Sequence, residues 1–433
     1  MVDKVPVSVV VRTFNEEKWI RHCISSIRSQ SHVETEIILV DSGSTDRTVY
    51  IAQLVGIDKL VLIDNYTPGL SLNSGIKESS HEFVAIISAH CIPHDDNWLY
   101  FLINALTDVN IVGVYSRQIP MPYTLASDAL DLFITFGTES RIQYTDSFFH
   151  NASSLIRRSI WSLYPFDEQL TNIEDRIWAD TVISNGYSVA YSSKSIVFHH
   201  HGIHQSSEQT SRSLSTASIV KSKYYPYGSI LPECLSPSNI NILTIISCRG
   251  VPMDVLSSTY LSQYNRVDLP CQVYIIHDEN FSDDLFNFPH NLVKVLSPKD
   301  QSLSNAISSI LSNYESSSIL DYVFYLNCDY VHPRPEKLSQ YLHVALDTGY
   351  DIVSSSFAEH ATILLSKNDT SEIINSSLDF SGNKLTYQKI TLGQGVLTHA
   401  SCARSGNFLD ETNRLHLINS PNILSTIRHS QTC

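Results

Sequence analysis

The stretch EFVAIISAHCIPHDDNWL, residues 82–99, decides the fold because it passes from a strand into a helix through a polar junction. Its uncharged run FVAII is typical of a strand buried on both faces. The closing WL begins an amphipathic helix. Ser88, Ala89 and His90 lie at the junction, where α/β enzymes often carry carboxylates. The stretch therefore predicts an α/β protein with a histidine at the carboxyl end of a strand.

Similar strand and helix patterns flank this stretch on both sides. The N-terminal half has strand-like runs at 6–12, 35–41, 58–64, 82–88 and 109–116. A helix is predicted over 16–31. Short apolar strands separated by helices predict a mainly parallel sheet covered on both faces. The C-terminal half repeats the pattern, with strands predicted at 239–247, 272–278, 321–327 and 350–356. The fold class predicted is α/β, with two tandem domains.

Composition predicts where the domains end. A serine-rich segment with tyrosine and proline follows FHHHG and is typical of a linker. We expect a first domain over 1–205, a linker over 206–238 and a second domain over 239–433. The windows VAIISAHCIPHDDNWL and VFYLNCDYVHPRPEKL align without a gap, which favours two similar domains.

Charge and cysteine usage exclude some functions. The 433 residues carry a net charge of −15, which argues against a general nucleic-acid binder. No apolar run is long enough to span a bilayer, and the first residues are typical of a strand rather than a signal peptide. The eight cysteines form no CxxC pair, so neither a zinc ribbon nor a disulfide framework is indicated. We expect a cytoplasmic protein.

Polar residues follow the first two strands, where ligands bind in parallel sheets. Thr13, Asn15 and Glu16 follow the first strand, and there they can meet a nucleotide base and ribose. An alternative is that Asn15 caps the following helix. Asp41 ends the second strand and is placed to accept hydrogen bonds from a base or ribose. Its alternative is turn chemistry within the loop that follows.

Two further clusters are candidates for chemistry. Glu174 and Asp175 open a helix, where acids are also common because of the helix dipole. Three adjacent histidines end the strand in IVFHHHG. His199 and His201 point to one face by strand periodicity and suit a divalent metal. A pH-tuned or solvated histidine cluster stays open as the alternative.

These pieces together resemble the family-2 glycosyltransferases of GT-A fold. The resemblance covers about residues 5–205 and lies in VVVRTFNEEKWIRHCISSI, EIILVDSGSTDRT, LNSGIKESSHEFVAIISAHCIPHDDNWL, VGVYSRQIP, FFHNASSLIRRSIW, IEDRIWADTVISNGYSVAY and IVFHHHG. SAHCIP with VYSRQIP is similar to the bacterial rhamnosyltransferase-like branch. The resemblance implies that Thr13, Asn15, Glu16 and Asp41 hold the nucleoside.

The resemblance also implies roles at the reacting end of the donor. Ser88, Ala89 and His90 occupy the aspartate-x-aspartate position that usually binds the metal on the diphosphate. Asp175, second in the pair with Glu174, matches the general base. One of His199 and His201 matches the histidine that approaches the metal or diphosphate.

The loss of both aspartates leaves two hypotheses for the leaving group. In the first, His90 with His199 or His201 forms a nitrogen-rich site for Mn²⁺ or Mg²⁺, and imidazole favours Mn²⁺. In the second, protonated histidines and Arg117 neutralise the diphosphate directly. Exhaustive chelation distinguishes them, because activity that survives it ends the metal hypothesis.

The second half bears a partial resemblance to the sugar cytidylyltransferases over about 240–360. It implies that Asp329 is a metal ligand and that Arg249 contacts a triphosphate. The glycine-rich loop of that family is shortened here to CRGVP. A degenerate domain that positions the acceptor or forms a dimer contact is the alternative.

The sequence thus predicts an inverting glycosyltransferase of surface polysaccharide synthesis. The donor expected is a dTDP- or UDP-sugar, and the acceptor is a glycan or lipid-linked saccharide. The alternatives are a bifunctional glycosyltransferase and cytidylyltransferase, and a degenerate sugar-nucleotide-binding scaffold. A homodimer and a peripheral contact with the inner face of the cytoplasmic membrane stay open, and nucleic acid is not an expected partner.

Overall fold

The computed structural model describes most of the first 200 residues and separate parts of the rest. The described residues are 4–122, 124, 126–170, 173–200, 233–249, 269, 271–277, 292–297, 302–327, 338–348, 352–359, 363–367, 370–374, 377–378, 384–385, 389–405 and 424–427. The backbone divides into two compact units, Met1–Asn239 and Ile240–Cys433. Two short 3₁₀ turns, Glu233–Leu235 and Pro237–Asn239, end the first unit.

The first unit is an α/β structure in its described part. Its strands are β1 Val5–Thr13, β2 Val33–Asp41, β3 Lys59–Leu62, β4 Phe83–Ser88, β5 Cys91–Pro93, β6 Ile111–Pro120, β7 Arg141–Gln143, β8 Ser153–Arg157 and β9 Ser188–His199. Its helices are α1 Ile20–Arg28, α2 Thr48–Val55, α3 Pro68–Lys77, α4 Trp98–Asn104, α5 Ala126–Thr135, α6 Arg158–Leu163 and α7 Glu174–Ser184. The five strands and the helix predicted from the sequence are confirmed.

The sheet of the first unit has the strand order β3-β2-β1-β4-β8-β6-β9-β5, and β7 pairs with β9. Its parallel core is β3-β2-β1-β4, and β6 and β9 are also parallel. Strand β8 runs antiparallel between β4 and β6, while β5 and β7 run antiparallel to β9. The α/β class with a largely parallel sheet is confirmed, with short antiparallel strands added to it.

The parallel core is buried on both faces, as its uncharged sequence predicts. Val10 and Ile86, at the centres of β1 and β4, are fully buried. Helix α3 packs so closely on this core that a Cβ at Gly75 would lie 2.4 Å from Val10 Cγ1 and 2.8 Å from Val40 Cγ2. Only glycine fits at this contact, so the helix is held against the sheet.

The register of the core strands brings their carboxyl ends to one edge. Thr13 of β1 is aligned with Asp41 of β2, and Arg12 is aligned with Ser88 of β4. Parallel strands place the loops that follow them on the same side of the sheet. This edge of the sheet is therefore where the candidate site must lie.

The second unit contains a seven-stranded sheet in the order β12-β11-β10-β13-β19-β14-β20. Its strands are β10 Ile242–Ser247, β11 Gln272–His277, β12 Leu292–Leu296, β13 Tyr322–Asn327, β14 Ile352–Glu359, β19 Lys389–His399 and β20 Leu424–Ile427. The short strands β15 Ile363–Lys367 and β16 Thr370–Ile374 pair with each other, as do β17 Ser377–Leu378 and β18 Lys384–Leu385. The helices are α8 Leu303–Glu315, α9 Leu338–Thr348 and α10 Ala400–Ser405.

Strands β10 to β13 of this sheet are parallel, and β19, β14 and β20 continue it antiparallel. The four strands predicted for the second half are confirmed, so this half is also α/β. Asp329 lies outside the described residues. Among the residues that the structure describes, no helix has the length and apolar character that a membrane crossing needs.

Candidate active site

The carboxyl edge of the first sheet opens into a cavity of about 1050 Å³. Seven of the residues predicted for a site line it: Thr13, Glu16, Ser88, His90, Glu174, Asp175 and His199. They come from the loops after β1 and β4, the start of α7 and the end of β9. These distant segments therefore converge on one hollow.

Other predicted site residues lie elsewhere. Asn15, Asp41 and Arg117 are not among the described residues that line this cavity. Arg117 lies in β6, aligned with Ile196 of β9. His201, like Asp329, lies outside the described residues. The structure therefore does not test His201 and Asp329 as metal ligands.

Asp41 is buried beneath the loop that it begins. Its Oδ2 accepts hydrogen bonds from the backbone N–H groups of Gly43 at 3.0 Å and Ser44 at 2.9 Å. Its Oδ1 accepts from the Ser44 hydroxyl at 2.5 Å. Gly43 has a φ of 88°, which glycine adopts without strain. Turn chemistry, the alternative noted for Asp41, is thus present in the structure.

The loops after β1 and β2 are fastened to each other. Asn15 has a positive φ of 53°, and its Oδ1 accepts a hydrogen bond from the Thr45 N–H at 2.8 Å. The Ser44 hydroxyl accepts from the Asn15 N–H, and the Thr48 hydroxyl accepts from the Glu16 N–H. The alternative that Asn15 caps α1 is wrong, because that helix begins at Ile20. These hydrogen bonds between the two loops hold Glu16 at the cavity wall.

Two carboxylates at the start of α7 face one arginine from β1. Arg12 Nη1 lies 3.8 Å from Glu174 Oε1, and its Nη2 donates to the Asn151 carbonyl at 3.5 Å. Asp175 Oδ2 accepts from the Asn151 N–H at 3.1 Å, and its Oδ1 accepts from the Arg176 N–H at 2.7 Å. Both oxygens of Asp175 are therefore oriented by backbone donors.

Burial raises the pKa of both carboxyl groups. For Glu174, burial is the largest cause; Arg12 opposes it and the neighbouring Asp175 charge adds to it. For Asp175, burial is again the largest cause, and the N–H groups of Asn151 and Arg176 oppose it, with a smaller opposing effect from Arg12. A carboxylate whose pKa is raised is a stronger base than an exposed one.

Two imidazoles of the cavity wall lie face to face. The rings of His90 and His199 are stacked with centroids 5.3 Å apart and planes 7° from parallel. His90 Nδ1 lies 2.6 Å from Glu16 Oε1, and His199 Nδ1 lies 2.8 Å from Gln118 Oε1. A carboxylate or amide oxygen on Nδ1 fixes the tautomer with hydrogen on that atom and orients the ring.

The amide of Gln118 extends this arrangement to a third histidine. In the orientation that gives His199 its acceptor, Gln118 Nε2 lies 2.9 Å from His150 Nδ1. His150 also lines the cavity, and its ring centroid is 6.5 Å from that of His199. One buried amide therefore positions two imidazoles of the site.

Several buried polar atoms of the cavity wall have no protein partner within the described part of the chain. They are Arg12 Nε, Thr13 Oγ1 and Asn151 Nδ2. Thr13 is 4% exposed and Asn151 1% exposed. Leaving a buried polar group unpaired costs about 1–3 kcal/mol. Such groups in a cavity wall are available to hydrogen-bond with a polar ligand.

The donor set beside the stacked rings fits a divalent cation. His90, Cys91 and His199 each offer a ligand atom, and these atoms all lie within 4.8 Å of one another. Acceptors on the Nδ1 atoms of both histidines match the outer contacts that metal-bound imidazoles usually have. The set contains nitrogen and sulfur but no carboxylate, which differs from the oxygen ligands that Mg²⁺ prefers.

The sequence predicts no role for several residues of this site. They are Arg12, Cys91, Gln118, His150 and Asn151. Only Arg12 left a signal, since a charge at the carboxyl end of an otherwise apolar strand is unusual. The others depend on pairing between strands that are distant in the chain.

Comparison with known proteins finds a family match over part of the chain that lines the cavity. Residues 8–163 match the family model Glycosyl transferase family 2. The glycosyltransferase AglE of Haloferax volcanii is 27% identical over 198 residues, which cover 43% of this chain and 64% of that protein. The O-antigen chain rhamnosyltransferase WbaN of Salmonella anatum is 26% identical over 213 residues, covering 45% of this chain and 66% of that protein. The match thus spans less than two thirds of either relative.

A solved structure has the same kind of partial match. The mannosyltransferase PcManGT of Pyrobaculum calidifontis, in complex with GDP-Man and Mn²⁺, is 17% identical with a TM-score of 0.38. The match covers 53% of this chain and 77% of that one.

Proposed function

We propose that the chain is an inverting glycosyltransferase, because residues 8–163 match the family 2 glycosyltransferases. It moves a sugar from a nucleoside diphosphate donor to a hydroxyl of a saccharide acceptor. The observation that supports this most directly is the single cavity that unites a buried acid pair with two oriented imidazoles. The acids suit proton removal, and the imidazoles suit stabilisation of a leaving diphosphate.

Asp175 is the general base of the proposed reaction. An acceptor hydroxyl is a weak nucleophile until its proton is taken in the transition state, and such help contributes about 10²–10⁴-fold to the rate. The backbone donors from Asn151 and Arg176 hold the carboxylate in one orientation. A single displacement by the activated hydroxyl inverts the anomeric carbon. Glu174 stays beside the base, paired with Arg12.

His90 and His199 face the diphosphate of the donor in this proposal. The departing diphosphate gains negative charge, which must be stabilised for the bond to break. A divalent cation held by these histidines would supply that stabilisation when bound. The chain itself orients the rings through Glu16 and Gln118. Loss of turnover on exhaustive chelation is expected. Turnover that persists would favour protonated imidazoles instead, without Arg117, which does not line the cavity.

The nucleoside lies at the β1 and β2 side of the cavity. Thr13 offers a hydroxyl without a protein partner in the described part of the chain, and Ser88 lies beside it at the end of β4. Phe14 and Tyr66 line the cavity although they are 57% and 55% exposed, so their flat faces are accessible to a base. Asn15 and Asp41 shape the loops. We favour a dTDP- or UDP-sugar.

The biological setting is proposed from the relatives. WbaN is an O-antigen chain rhamnosyltransferase by name, which favours rhamnosyl transfer into a surface polysaccharide for this chain. The acceptor would be a glycan or a lipid-linked saccharide at the inner face of the cytoplasmic membrane. Cys23 and Cys91 are buried free thiols, in keeping with a cytoplasmic protein.

The second half supports the first in this proposal. We take 1–205 as the transferase domain, 206–238 as a linker and 239–433 as a domain that positions the acceptor or forms a homodimer contact. Pyrophosphate release that requires CTP would instead assign nucleotidyl transfer to it.

The test is a turnover assay on the full chain with a panel of UDP-, dTDP-, GDP- and CMP-sugars. The wild type is expected to hydrolyse or transfer at least one of them. Asp175→Asn should reduce turnover by about 10²–10⁴-fold while nucleotide still raises the melting temperature. Asp180→Asn is the matched control, because Asp180 lies exposed on the same helix. Near wild-type turnover in Asp175→Asn would overturn the assignment of the base.

A further inference from the structure

We propose that Cys91 is the third ligand of the cation site, so that the site takes Co²⁺ or Zn²⁺ and discriminates against Mg²⁺. The proposal rests on the proposed function for the role of the ion, but the binding itself can be measured without turnover. It follows from three features of the described residues: the distances between the ligand atoms, the strand pairing that sets them, and the chemistry of the donor set.

The ligand atoms are near each other because of strand pairing. Strand β5 is only three residues long and pairs antiparallel with the end of β9. Cys91, its first residue, is aligned directly with His199. His90 immediately precedes the strand, and its ring stacks on that of His199. The backbone therefore fixes all three residues, and their ligand atoms lie within 4.8 Å of one another.

The two imidazoles are oriented as ligands by their neighbours. Glu16 contacts Nδ1 of His90, and Gln118 contacts Nδ1 of His199. With Nδ1 engaged by an acceptor, ligation is assigned to Nε2 of each ring. Gln118 is itself 1% exposed, so this contact is held rigidly. Exposed histidines in chance contact would not each have an acceptor on Nδ1 that orients the ring.

The position of Cys91 relative to the cavity matches a site open on one side. Cys91 is fully buried, whereas His90 and His199 line the cavity. Three protein ligands leave coordination positions for water or substrate oxygens, as in catalytic zinc sites. Ligation replaces the S–H bond with a bond from sulfur to the metal, and the proton passes to solvent.

The identity of the ion follows from the ligands. Thiolate and imidazole suit Zn²⁺ and Co²⁺, while Mg²⁺ takes oxygen ligands in octahedral geometry. Glu16, the acid beside His90, already contacts its ring nitrogen. A site with two nitrogens and one sulfur therefore binds Mg²⁺ weakly. The sequence alone predicts Mn²⁺ or Mg²⁺ at histidine ligands. The sulfur ligand changes the expected ion to Co²⁺ or Zn²⁺.

The experiment is a titration of the full-length protein with Co²⁺ alone, in the absence of donor. Thiolate ligation gives Co²⁺ an intense near-ultraviolet charge-transfer band, which nitrogen and oxygen ligands do not produce. One equivalent of Co²⁺ should saturate the band, and equimolar Mg²⁺ should not displace it. Cys91→Ala should abolish the band and weaken Co²⁺ binding by at least about tenfold. Cys23→Ala, which alters another fully buried free cysteine, should keep both.

Three outcomes would overturn the proposal: Co²⁺ binding without the band, a band that survives Cys91→Ala, or displacement of Co²⁺ by equimolar Mg²⁺. If Cys91→Ala fails to fold, X-ray absorption of the Co²⁺-loaded wild type decides, because it counts sulfur neighbours without a substitution. The two proposals fail separately. Turnover of a nucleotide sugar without a sulfur-ligated ion removes only this one, whereas a sulfur-ligated ion in a chain that turns over no donor removes only the proposed function.

Discussion

Two glutamates at opposite ends of the same sheet have opposite surroundings. Glu36 lies toward the amino end of β2 and accepts hydrogen bonds from Ser8, Ser80 and Lys59. Glu174 lies at the cavity and has one cation, Arg12, at 3.8 Å. Burial alone would raise the pKa of both. At Glu36 the hydrogen bonds from Lys59, Ser8 and Ser80 outweigh burial and lower the pKa to about 2.

The difference shows how one fold separates stability from function. At the amino end every oxygen of the carboxylate is satisfied, so the charge stabilises the folded state. At the carboxyl edge the acids keep a raised pKa, and polar atoms of Thr13 and Asn151 have no partner within the described residues. Buried acids with a raised pKa and buried polar atoms without a partner lower the stability of the fold. Such groups are typical of binding and catalytic sites.

Among the changes that test this contrast, the largest effect is expected from replacing Arg12, the cationic side chain beside the two acids. Arg12→Met leaves Glu174 and Asp175 without the charge that lowers their pKa. Their pKa should rise further, because the opposing effect of the guanidinium is lost. A base acts as the carboxylate, so the acid limb of kcat/KM should move to higher pH. At pH values below the shifted acid limb, the activity of Arg12→Met should fall about tenfold or more relative to the wild type. At high pH its activity should recover.

Arg12→Lys is the control for this prediction because it keeps the positive charge. Its acid limb should lie closer to that of the wild type. Identical pH profiles for wild type and Arg12→Met would show that the arginine does not act on the two acids. The contrast between the two ends of the sheet would then lose its electrostatic basis.

A smaller effect is expected at the amino end. Glu36→Gln removes a carboxylate whose pKa is lowered to about 2 from an ordinary 4.5. A lowered pKa stabilises the fold above pH 4.5, and this stabilisation is lost as pH falls toward 2. At pH 7 the variant should lose about 1–2 kcal/mol of unfolding free energy, after allowance for solvent screening.

The measurement is denaturant unfolding of the full chain at pH 7 and at about pH 3, where the difference between variant and wild type should shrink. Glu34→Gln is the matched control, since Glu34 is exposed on the same strand. An equal loss in both variants would show that the network around Glu36 is not what stabilises this end.

The two ends also differ in what the sequence reveals. Apolar runs give the strands, and the rule that ligands bind at their carboxyl ends gives the edge where the cavity lies. The role of Asp175 comes from the family resemblance alone. His90 is found because it occupies a junction where an acid is expected. Cys91 is not found, because in sequence it resembles any apolar residue of a strand. Its contact with His199 exists only once β5 has paired with β9.

The same limit applies to the satisfied and unsatisfied hydroxyls. Thr13 and Thr48 are both buried threonines, and nothing in their immediate sequence distinguishes them. The Thr48 hydroxyl accepts from the Glu16 N–H and donates to Asp46 Oδ1. The Thr13 hydroxyl has no partner among the described residues. Only the fold decides which hydroxyl remains for a ligand.

The smallest effect is expected from this pair of threonines. Thr13→Val replaces an unpaired hydroxyl with a methyl group of similar size, so the unliganded chain should gain up to about 1 kcal/mol. Nucleotide should bind about 3–10-fold more weakly if the hydroxyl contacts it. Thr48→Val should instead lose about 1–3 kcal/mol, because it leaves the Glu16 N–H unpaired. Thermal melts with and without nucleotide measure both. Destabilisation by Thr13→Val with unchanged nucleotide binding would mean that its hydroxyl serves the fold rather than a ligand.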